Sequence, residues 1–531
     1  MDYQLIIPMS GFGNRFVKAG YKIPKFLIEV ENKPVLSHIL DAFPKLKRVI
    51  FICNEEDLGN KTLDLKNKLL SIKGNAIILS VKPHKKGPVF SLLQINEEID
   101  PNLKTIVNYC DFGWSWNFSL FEKHIIDTNC DGCLVSYKGF HPHMTRNTNY
   151  GYSKTNKLDV IDIREKESFT DNPMNEYASS GTYYFKSGIL MKKYLNQTIE
   201  NNLETNGEYY VSMSFLPMIK DKLKVNIFEI DNFLQWGTPA DLEEYIWYSN
   251  AFIEKTKLLR RDKEYNHGVL LIPAAGLGKR FSEKGYHIPK PLIKVSNKYM
   301  LTQVLNYLPE FKFKHFVLRE DMKNVSDLIS KLKNIDENSQ INLIKNKTNG
   351  QLISCLRATD FLDLKLPLTI SACDNGMLYD KNKLNKLFND KSIDIIVWGS
   401  EGYPGTIYNP EMYSWINHKK GKVNEIIEKK APKNKFKDPA LIGTFSFSSG
   451  SLFLELANHL INDRKTINNE FYVDSCINYG IKKGLKVIYF KVNYFLCWGT
   501  PNDLMIYNYW QDYFDKNKDH PYSKQLDMDY F

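Results

Sequence analysis

Leu5 to Phe43 aligns without a gap on Leu270 to Leu308, with 19 identities in 39 positions. A period this long belongs to repeated domains and not to a solenoid, so it constrains the architecture before any single motif is read. Later landmarks keep their order: Gly87 with Gly350, Cys110-Asp111 with Cys373-Asp374, Glu165-Lys166 with Glu428-Lys429, Gly181-Thr182 with Gly443-Thr444, Glu208 with Glu470, and Trp236-Gly-Thr-Pro239 with Trp498-Gly-Thr-Pro501. The numbering offset drifts only from 265 to 262 across them. The 531 residues therefore read as copy one over 1–258, a charged connector over 259–267 and copy two over 268–531. Each copy is long enough to bury its own core. The connector is short enough to predict that the copies touch, as an intramolecular pseudo-dimer.

Within copy one, apolar runs of strand length recur at Leu5–Ile7, Val49–Cys53, Ala76–Val81, Thr105–Val107 and Gly132–Tyr137. Amphipathic stretches such as Pro34–Phe43 and Pro88–Ile99 separate the early ones. Strands alternating with helices predict an α/β fold with a mostly parallel sheet. Ser180–Phe185 predicts a later, more mixed region forming one wall of a site.

Hydrophobic residues at 43% and charged residues at 25% exclude disordered and collagenous classes. The net charge of +10 is spread along both halves with no basic run, which argues against a nucleic-acid partner. No stretch has the roughly 18 uninterrupted apolar residues of a membrane span, and no secretory signal precedes Leu5, so a cytoplasmic protein is expected. Eight cysteines are too sparse for a disulfide scaffold; Cys130 and Cys133 read as two unlinked thiols.

The chemistry gathers at the end of the first strand of each copy. Pro8-Met-Ser-Gly11-Phe-Gly13-Asn-Arg15-Phe16 and Pro273-Ala-Ala-Gly276-Leu-Gly278-Lys-Arg280-Phe281 are glycine loops whose backbone N–H groups can approach an anion closely. Phe16 and Phe281 stand where a dinucleotide fingerprint would have its third glycine, and no Gly-Lys-Ser/Thr follows. Ten residues after each arginine, Gly20-Tyr-Lys-Ile-Pro24-Lys25 and Gly285-Tyr-His-Ile-Pro289-Lys290 each hold a lysine fixed by proline. Lysine and arginine together suit a polyphosphate.

These loops, the Pro-Lys element, the later aspartate, the Glu-Lys pair and the Trp-Gly-Thr-Pro run resemble the sugar-phosphate nucleotidyltransferase family over nearly the whole of each copy. The resemblance implies two Rossmann-like α/β/α domains that move a nucleotidyl group from an NTP to a sugar phosphate or other small phosphorylated acceptor, releasing pyrophosphate with Mg²⁺. It implies that Gly11, Gly13 and Arg15 (Gly276, Gly278 and Arg280) hold the triphosphate and that Lys25 (Lys290) contacts the phosphates in flight. Gly87 and Gly350 would present backbone to the base, and Asp111 and Asp374 would hold magnesium. Lys166 and Lys429, with Gly181, Glu208, Gly443 and Glu470, would face the acceptor. The compact Gly-Tyr-x-Ile-Pro-Lys form is similar to small cytidylyltransferase-like capsule enzymes, which implies CTP and surface polysaccharide synthesis.

The chain also departs from the family. Where many members carry a second metal-binding aspartate, this chain has Gln235 and Cys497, so an amide or water would complete the shell. The presumed acceptor walls diverge, with Phe112-Gly-Trp114-Ser-Trp116 and His141-Pro-His143 in copy one but Asn375-Gly-Met377 and Trp398 to Tyr403 in copy two. His141 and His143 lack a third ligand for a metal. A nucleotide sensor, a scaffold copy and a nucleotide-sugar glycosyltransferase remain alternatives, the last without its expected Asp-x-Asp.

Overall fold

The computed structural model describes residues 3–258, 267–464, 466 and 469–529. Two compact units divide the chain, 1–246 and 247–531. The division falls inside the helix Pro239–Leu258 and not at the expected 258, because Trp247 packs edge-on to Tyr403 and Tyr494 and Phe252 packs on Tyr507 and Tyr522, all in the second unit. Of the expected connector only His267 is among the described residues.

Unit one is built on a nine-stranded sheet: β1 (Tyr3–Met9), β2 (Leu46–Asn54), β3 (Ile77–Val81), β4 (Lys104–Asn108), β5 (Gly132–Tyr137), β6 (Gly151–Asn156), β7 (Asp159–Glu165), β8 (Tyr177–Phe185) and β9 (Val225–Glu229). Their order is β3-β2-β1-β4-β8-β5-β9-β7-β6. β1 pairs in parallel with β2 (Leu5 opposite Val49) and with β4 (Leu5 opposite Ile106). β8 runs antiparallel between β4 and β5, so parallel strands fill one side of the sheet and mixed strands the other. Central strands lie between helical layers and are buried on both faces, which is why β1 and β2 read as unbroken apolar runs and not as alternation.

Unit two repeats the plan with β10 (Val269–Pro273), β11 (Phe313–Arg319), β12 (Gln340–Ile344), β13 (Leu368–Ile370), β14 (Ile395–Ser400), β15 (Trp415–Lys419), β16 (Lys422–Ile427), β17 (Ala440–Phe447) and β18 (Val487–Val492). The order, β12-β11-β10-β13-β17-β14-β18-β16-β15, is that of unit one strand for strand. Each unit adds a two-stranded ribbon, Phe112–Ser115 with Asn232–Gln235 and Asn375–Leu378 with Tyr494–Cys497. These ribbons bring the late Trp-Gly-Thr-Pro run beside the aspartate: Trp236 N–H donates to the Asp111 carbonyl at 3.2 Å, and Trp498 N–H to that of Asp374 at 2.9 Å. Among the described residues no helix is long and apolar enough to cross a membrane.

Candidate functional site

In unit one the glycine loop leaves the end of β1 between the ends of its two parallel neighbours, where the crevice of an open α/β sheet forms. Gly13 sits in the left-handed region (φ 60°) and opens the helix Asn14–Lys18 with no side chain capping its first N–H groups. A side chain at this φ is strained, so glycine is the residue that fits. The loop is one wall of a cavity of about 500 Å³ that also takes in Lys25, Gly87, Asp111, Glu208 and Tyr210. Six of the residues singled out in copy one, Gly11, Gly13, Lys25, Gly87, Asp111 and Glu208, thus meet around one space.

Pro24 opens a short 3-10 turn that carries Lys25, whose Nζ lies 2.6 Å from Asp111 Oδ2. Burial pulls the ammonium down, but the Asp111 charge and hydrogen bond outweigh it, so the Lys25 value is raised and the side chain stays protonated. Gly87, at φ 81°, begins the helix Pro88–Gln94; a methyl group there would fall 2.7 Å from the backbone N and O of Tyr209. The glycine lets the Glu208–Tyr210 segment close against the loop. Lys166 reaches that segment by donating to Tyr210 Oη at 2.6 Å and to Glu208 Oε2 at 3.4 Å.

Three expected residues lie off this wall: Lys166, which reaches it only through Tyr210 and Glu208, and Arg15 and Gly181. Arg15 does not line the cavity, although its charge acts on Lys25 and Asp241. Gly181 (φ 84°) sits in β8, its carbonyl taking the Tyr109 N–H at 3.0 Å, and a methyl group there would fall 2.8 Å from the Phe112 ring and 2.9 Å from that of Tyr109. Sequence reading missed Ser10, His84 and Ser91, which form a chain across the cavity: Ser10 Oγ to Ser91 Oγ at 2.8 Å and His84 Nε2 to Ser91 Oγ at 2.9 Å. Burial and the Lys86 charge lower the His84 value. Copy two holds Ala275 and Ser354 at the serine positions, so pairing the copies hid the network.

Unit two repeats the plan in a tighter form. Its cavity, about 290 Å³, is lined by Gly276, Gly278, Arg280 and Lys290 with Cys373 and Gly499. Lys290 Nζ contacts Asp374 Oδ2 and donates to the Gly499 carbonyl at 2.8 Å. Gly350, Asp374, Lys429, Gly443 and Glu470 are off the wall. Gly350 (φ 105°) packs on Phe471 as Gly87 does on Tyr209. Gly443 accepts from Ala372 N–H at 3.0 Å, Glu470 accepts from Tyr472 Oη at 2.9 Å, and Lys429 donates to the Met412 carbonyl at 2.7 Å. Burial lowers the Lys429 value, with Asp474 opposing and Arg280 adding to the effect.

The two units differ most beneath these lysines. In unit one Glu165, half-buried at the end of β7, accepts from the buried Ser212 Oγ at 2.5 Å; a methyl group on Gly151 would fall 2.6 Å from its Oε2. In unit two Ser414 stands at the position of Gly151 and Asp474 at that of Ser212, and Ser414 Oγ donates to Asp474 Oδ2 at 2.6 Å. The carboxyl-hydroxyl pair is kept while its carriers are exchanged. Glu428 instead meets Asn478 Nδ2 at 3.4 Å.

For a magnesium ion, unit one offers oxygen donors. A methyl group on Gly237 would lie 2.9 Å from Asp111 Oδ2 and 3.0 Å from Gln235 Oε1, so both oxygens face the same small space. Mg²⁺ commonly takes one or two carboxylates with water and substrate phosphates. In unit two the corresponding neighbours of Gly499 are Asp374 Oδ2 and Cys497 Sγ. Burial, then the Asp503 charge, raises the Cys497 thiol well above its ordinary range, and a neutral thiol is a poor magnesium ligand. Among the described residues no group of three or more His, Cys, Asp or Glu side chains is placed to hold a metal ion. All eight cysteines are free.

Residues 5–219 match the family described as Nucleotidyl transferase. The N-terminal half of the chain is a nucleotidyl transferase domain. A UTP–glucose-1-phosphate uridylyltransferase of Haloferax volcanii is 23% identical over 245 residues, 45% of this chain and 94% of the relative. A 2-C-methyl-D-erythritol 4-phosphate cytidylyltransferase of Wigglesworthia glossinidia brevipalpis is 36% identical over 72 residues, 13% of this chain and 30% of the relative. Among solved structures, a nucleoside-diphosphate-sugar pyrophosphorylase of Vibrio cholerae RC9 is similar at 17% identity and TM-score 0.38, covering 45% of this chain and 98% of its own. The glycine loop, Lys25, Gly87 and Asp111 all lie within the part of the nucleotidyl transferase domain that matches the family.

One consequence is measurable without substrate. Burial pushes the Glu165 carboxyl up to about 7, with Ser212 and Lys166 pulling it partly back. Its folded-state value lies above the ordinary 4.5, so its contribution to stability is whole below pH 4.5 and is lost as pH rises through about 7. Glu165→Gln should flatten that part of the stability profile, by on the order of 3 kcal/mol between pH 4.5 and 8. Urea titrations across that range check it; a profile parallel to the native one would refute the assignment.

Proposed function

We propose that the chain transfers a nucleotidyl group from a pyrimidine NTP to a sugar phosphate or similar small phosphorylated acceptor, and that unit two holds a second nucleotidyl transferase site. The observation that carries this reading is the convergence of the glycine loop, the Lys25–Asp111 pair and the Glu208–Tyr210 segment on one cavity at the sheet crevice. CTP is the first candidate for the base, supported by the compact Gly-Tyr-x-Ile-Pro-Lys element and by a relative named a cytidylyltransferase; the uridylyltransferase relative makes UTP the second. Activation of a building block for a surface polysaccharide is the use proposed for the product.

An acceptor phosphate oxygen attacks the NTP α-phosphorus, forming a new P–O bond as the bond from the α-phosphorus to the bridging oxygen breaks and pyrophosphate leaves. Positioning and charge neutralisation carry such a step without a general base. On nucleotide binding Lys25 exchanges the Asp111 carboxylate for phosphate oxygens, where its ammonium offsets charge growing on the transferred group. The glycine-loop N–H groups hold the outer phosphates, and Arg15 supplies further positive field. Lys166, held by Tyr210 and Glu208, orients the acceptor phosphate. Asp111, with Gln235 beside it, would hold magnesium, which when bound neutralises phosphate charge. Asp374 is the corresponding residue in unit two.

Pyrophosphate release measured with each NTP against a panel of sugar and polyol phosphates tests the reading. Turnover with a pyrimidine NTP and a phosphorylated acceptor is expected, and none with any pair would overturn it. Asp111→Ala combined with Asp374→Ala should abolish release, as should excess chelator; full activity in either case would refute the metal assignment.

A further inference from the structure

Gln235 ends the ribbon strand Asn232–Gln235 immediately before the Trp236-Gly-Thr-Pro239 run, and its carboxamide is held at both ends. Oε1 accepts the Gly237 N–H at 3.0 Å, and Nε2 donates to Tyr150 Oη at 3.0 Å. A backbone N–H only donates, so the end of the amide that faces Gly237 is the oxygen. That oxygen keeps a second lone pair, and it shares with Asp111 Oδ2 the small space that a methyl group on Gly237 would enter. An amide turned the other way would aim N–H donors there, where a magnesium ion needs oxygen.

Tyr150 is itself fixed by its surroundings. Its carbonyl accepts the Lys166 N–H at 2.9 Å, which continues the β6–β7 ladder beyond the pairing of Gly151 with Glu165. Its ring lies edge-on to the buried His143 at 5.1 Å and to the buried Tyr137 at 6.2 Å, so His143 serves here as packing for the tyrosine. Burial, then the Asp241 charge, raises the Tyr150 hydroxyl above its ordinary range, and it stays neutral. Unit two keeps the same holder: Tyr413 stands at the position of Tyr150 and hydrogen-bonds Cys497, which stands at that of Gln235. The tyrosine is common to both units, and what it holds has changed from an amide to a thiol.

We propose that Tyr150 is a positioning residue for the cation site of unit one: its hydroxyl holds the Gln235 amide with Oε1 beside Asp111, so that a neutral side chain serves where a carboxylate would. This rests on the reading of Asp111 as a magnesium ligand. Mn²⁺ binding to the full chain, read from the electron paramagnetic resonance signal of the free ion, tests it without turnover; Asp374→Ala in every protein compared removes the corresponding aspartate of unit two. Partners that orient a metal ligand contribute roughly tenfold to a hundredfold in affinity, so Tyr150→Phe should raise the Mn²⁺ dissociation constant by about tenfold. Gln235→Ala should raise it at least as far, and adding Tyr150→Phe to Gln235→Ala should change it no further, because the hydroxyl then has no amide to hold. Gln235→Glu, which puts a carboxylate on the same stem, should bind Mn²⁺ more tightly than its parent and covers the case in which Tyr150→Phe misfolds. An unchanged constant in Tyr150→Phe, a full further loss in the double variant, weaker binding in Gln235→Glu, or no Mn²⁺ retained by the parent would each overturn the role of Tyr150. A chain that turns over an NTP and an acceptor yet fails these tests loses only that role; one that passes them without turnover loses only the transfer reaction.

Discussion

Lys25→Ala should remove one transferase activity and leave a second one intact, and Lys290→Ala should do the reverse. Each lysine is paired to the aspartate of its own unit, Lys25 to Asp111 and Lys290 to Asp374, and each lies on its own glycine-loop cavity. A single fixed donor aimed at developing charge contributes about 10²–10³ in kcat, and no group from a separate pocket replaces it. The acceptors should differ, because the carboxyl-hydroxyl pairs beneath Lys166 and Lys429 are built differently: Glu165 with Ser212, but Asp474 with Ser414. Steady-state rates of both single variants on the full acceptor panel are the measurement. If one variant loses everything and the other nothing, the second unit is a sensor or scaffold. If each loses everything, the two units form one composite site.

The second large effect falls on stability. Lys255 and Asp527 form an ion pair 2.5 Å apart in the interior of unit two, each about 1% exposed at the side chain. Lys255 also donates to Tyr507 Oη at 2.9 Å, while Asp527 accepts from Gln511 and Tyr522, each at 2.8 Å. Lys255→Met fills similar volume but leaves the carboxylate buried without its cation, a loss of about 3–5 kcal/mol. For a unit of this size that lowers the transition by about 10 °C in calorimetry. Lys255→Met with Asp527→Leu should recover part of it, since removing both charges avoids the uncompensated one. A single variant as stable as the native chain would refute the assignment. Two transitions in the scan would show whether only unit two is affected.

What the sequence determined by itself was local or periodic. Four of the five strand-length apolar runs of copy one lie within strands of the central sheet, because a strand buried on both faces cannot hide its composition, and the fifth, Ala76–Val81, overruns the partly buried strand Ile77–Val81 by one residue. Pro34–Phe43 and Pro88–Ile99 contain the helices Val35–Asp41 and Pro88–Gln94, the latter shorter because Ile95 leaves helical geometry before a 3-10 turn. The glycine loop, Lys25 and Asp111, which the structure gathers on one cavity, stood out along the chain because the repeat displays them twice. Only the tertiary structure decided the rest. That helix Pro239–Leu258 is divided between the units follows from Trp247, Phe252 and Lys255 finding partners more than 150 residues away along the chain. Ser10, His84 and Ser91 come from three separate segments and carry no spacing signal. The exchange of Glu165 and Ser212 for Asp474 and Ser414 looks like unrelated drift in sequence. It becomes one conserved carboxyl-hydroxyl pair when β6 and β7 set Gly151 against Glu165, because side-chain volume and desolvation are settled between neighbours in space and not along the chain.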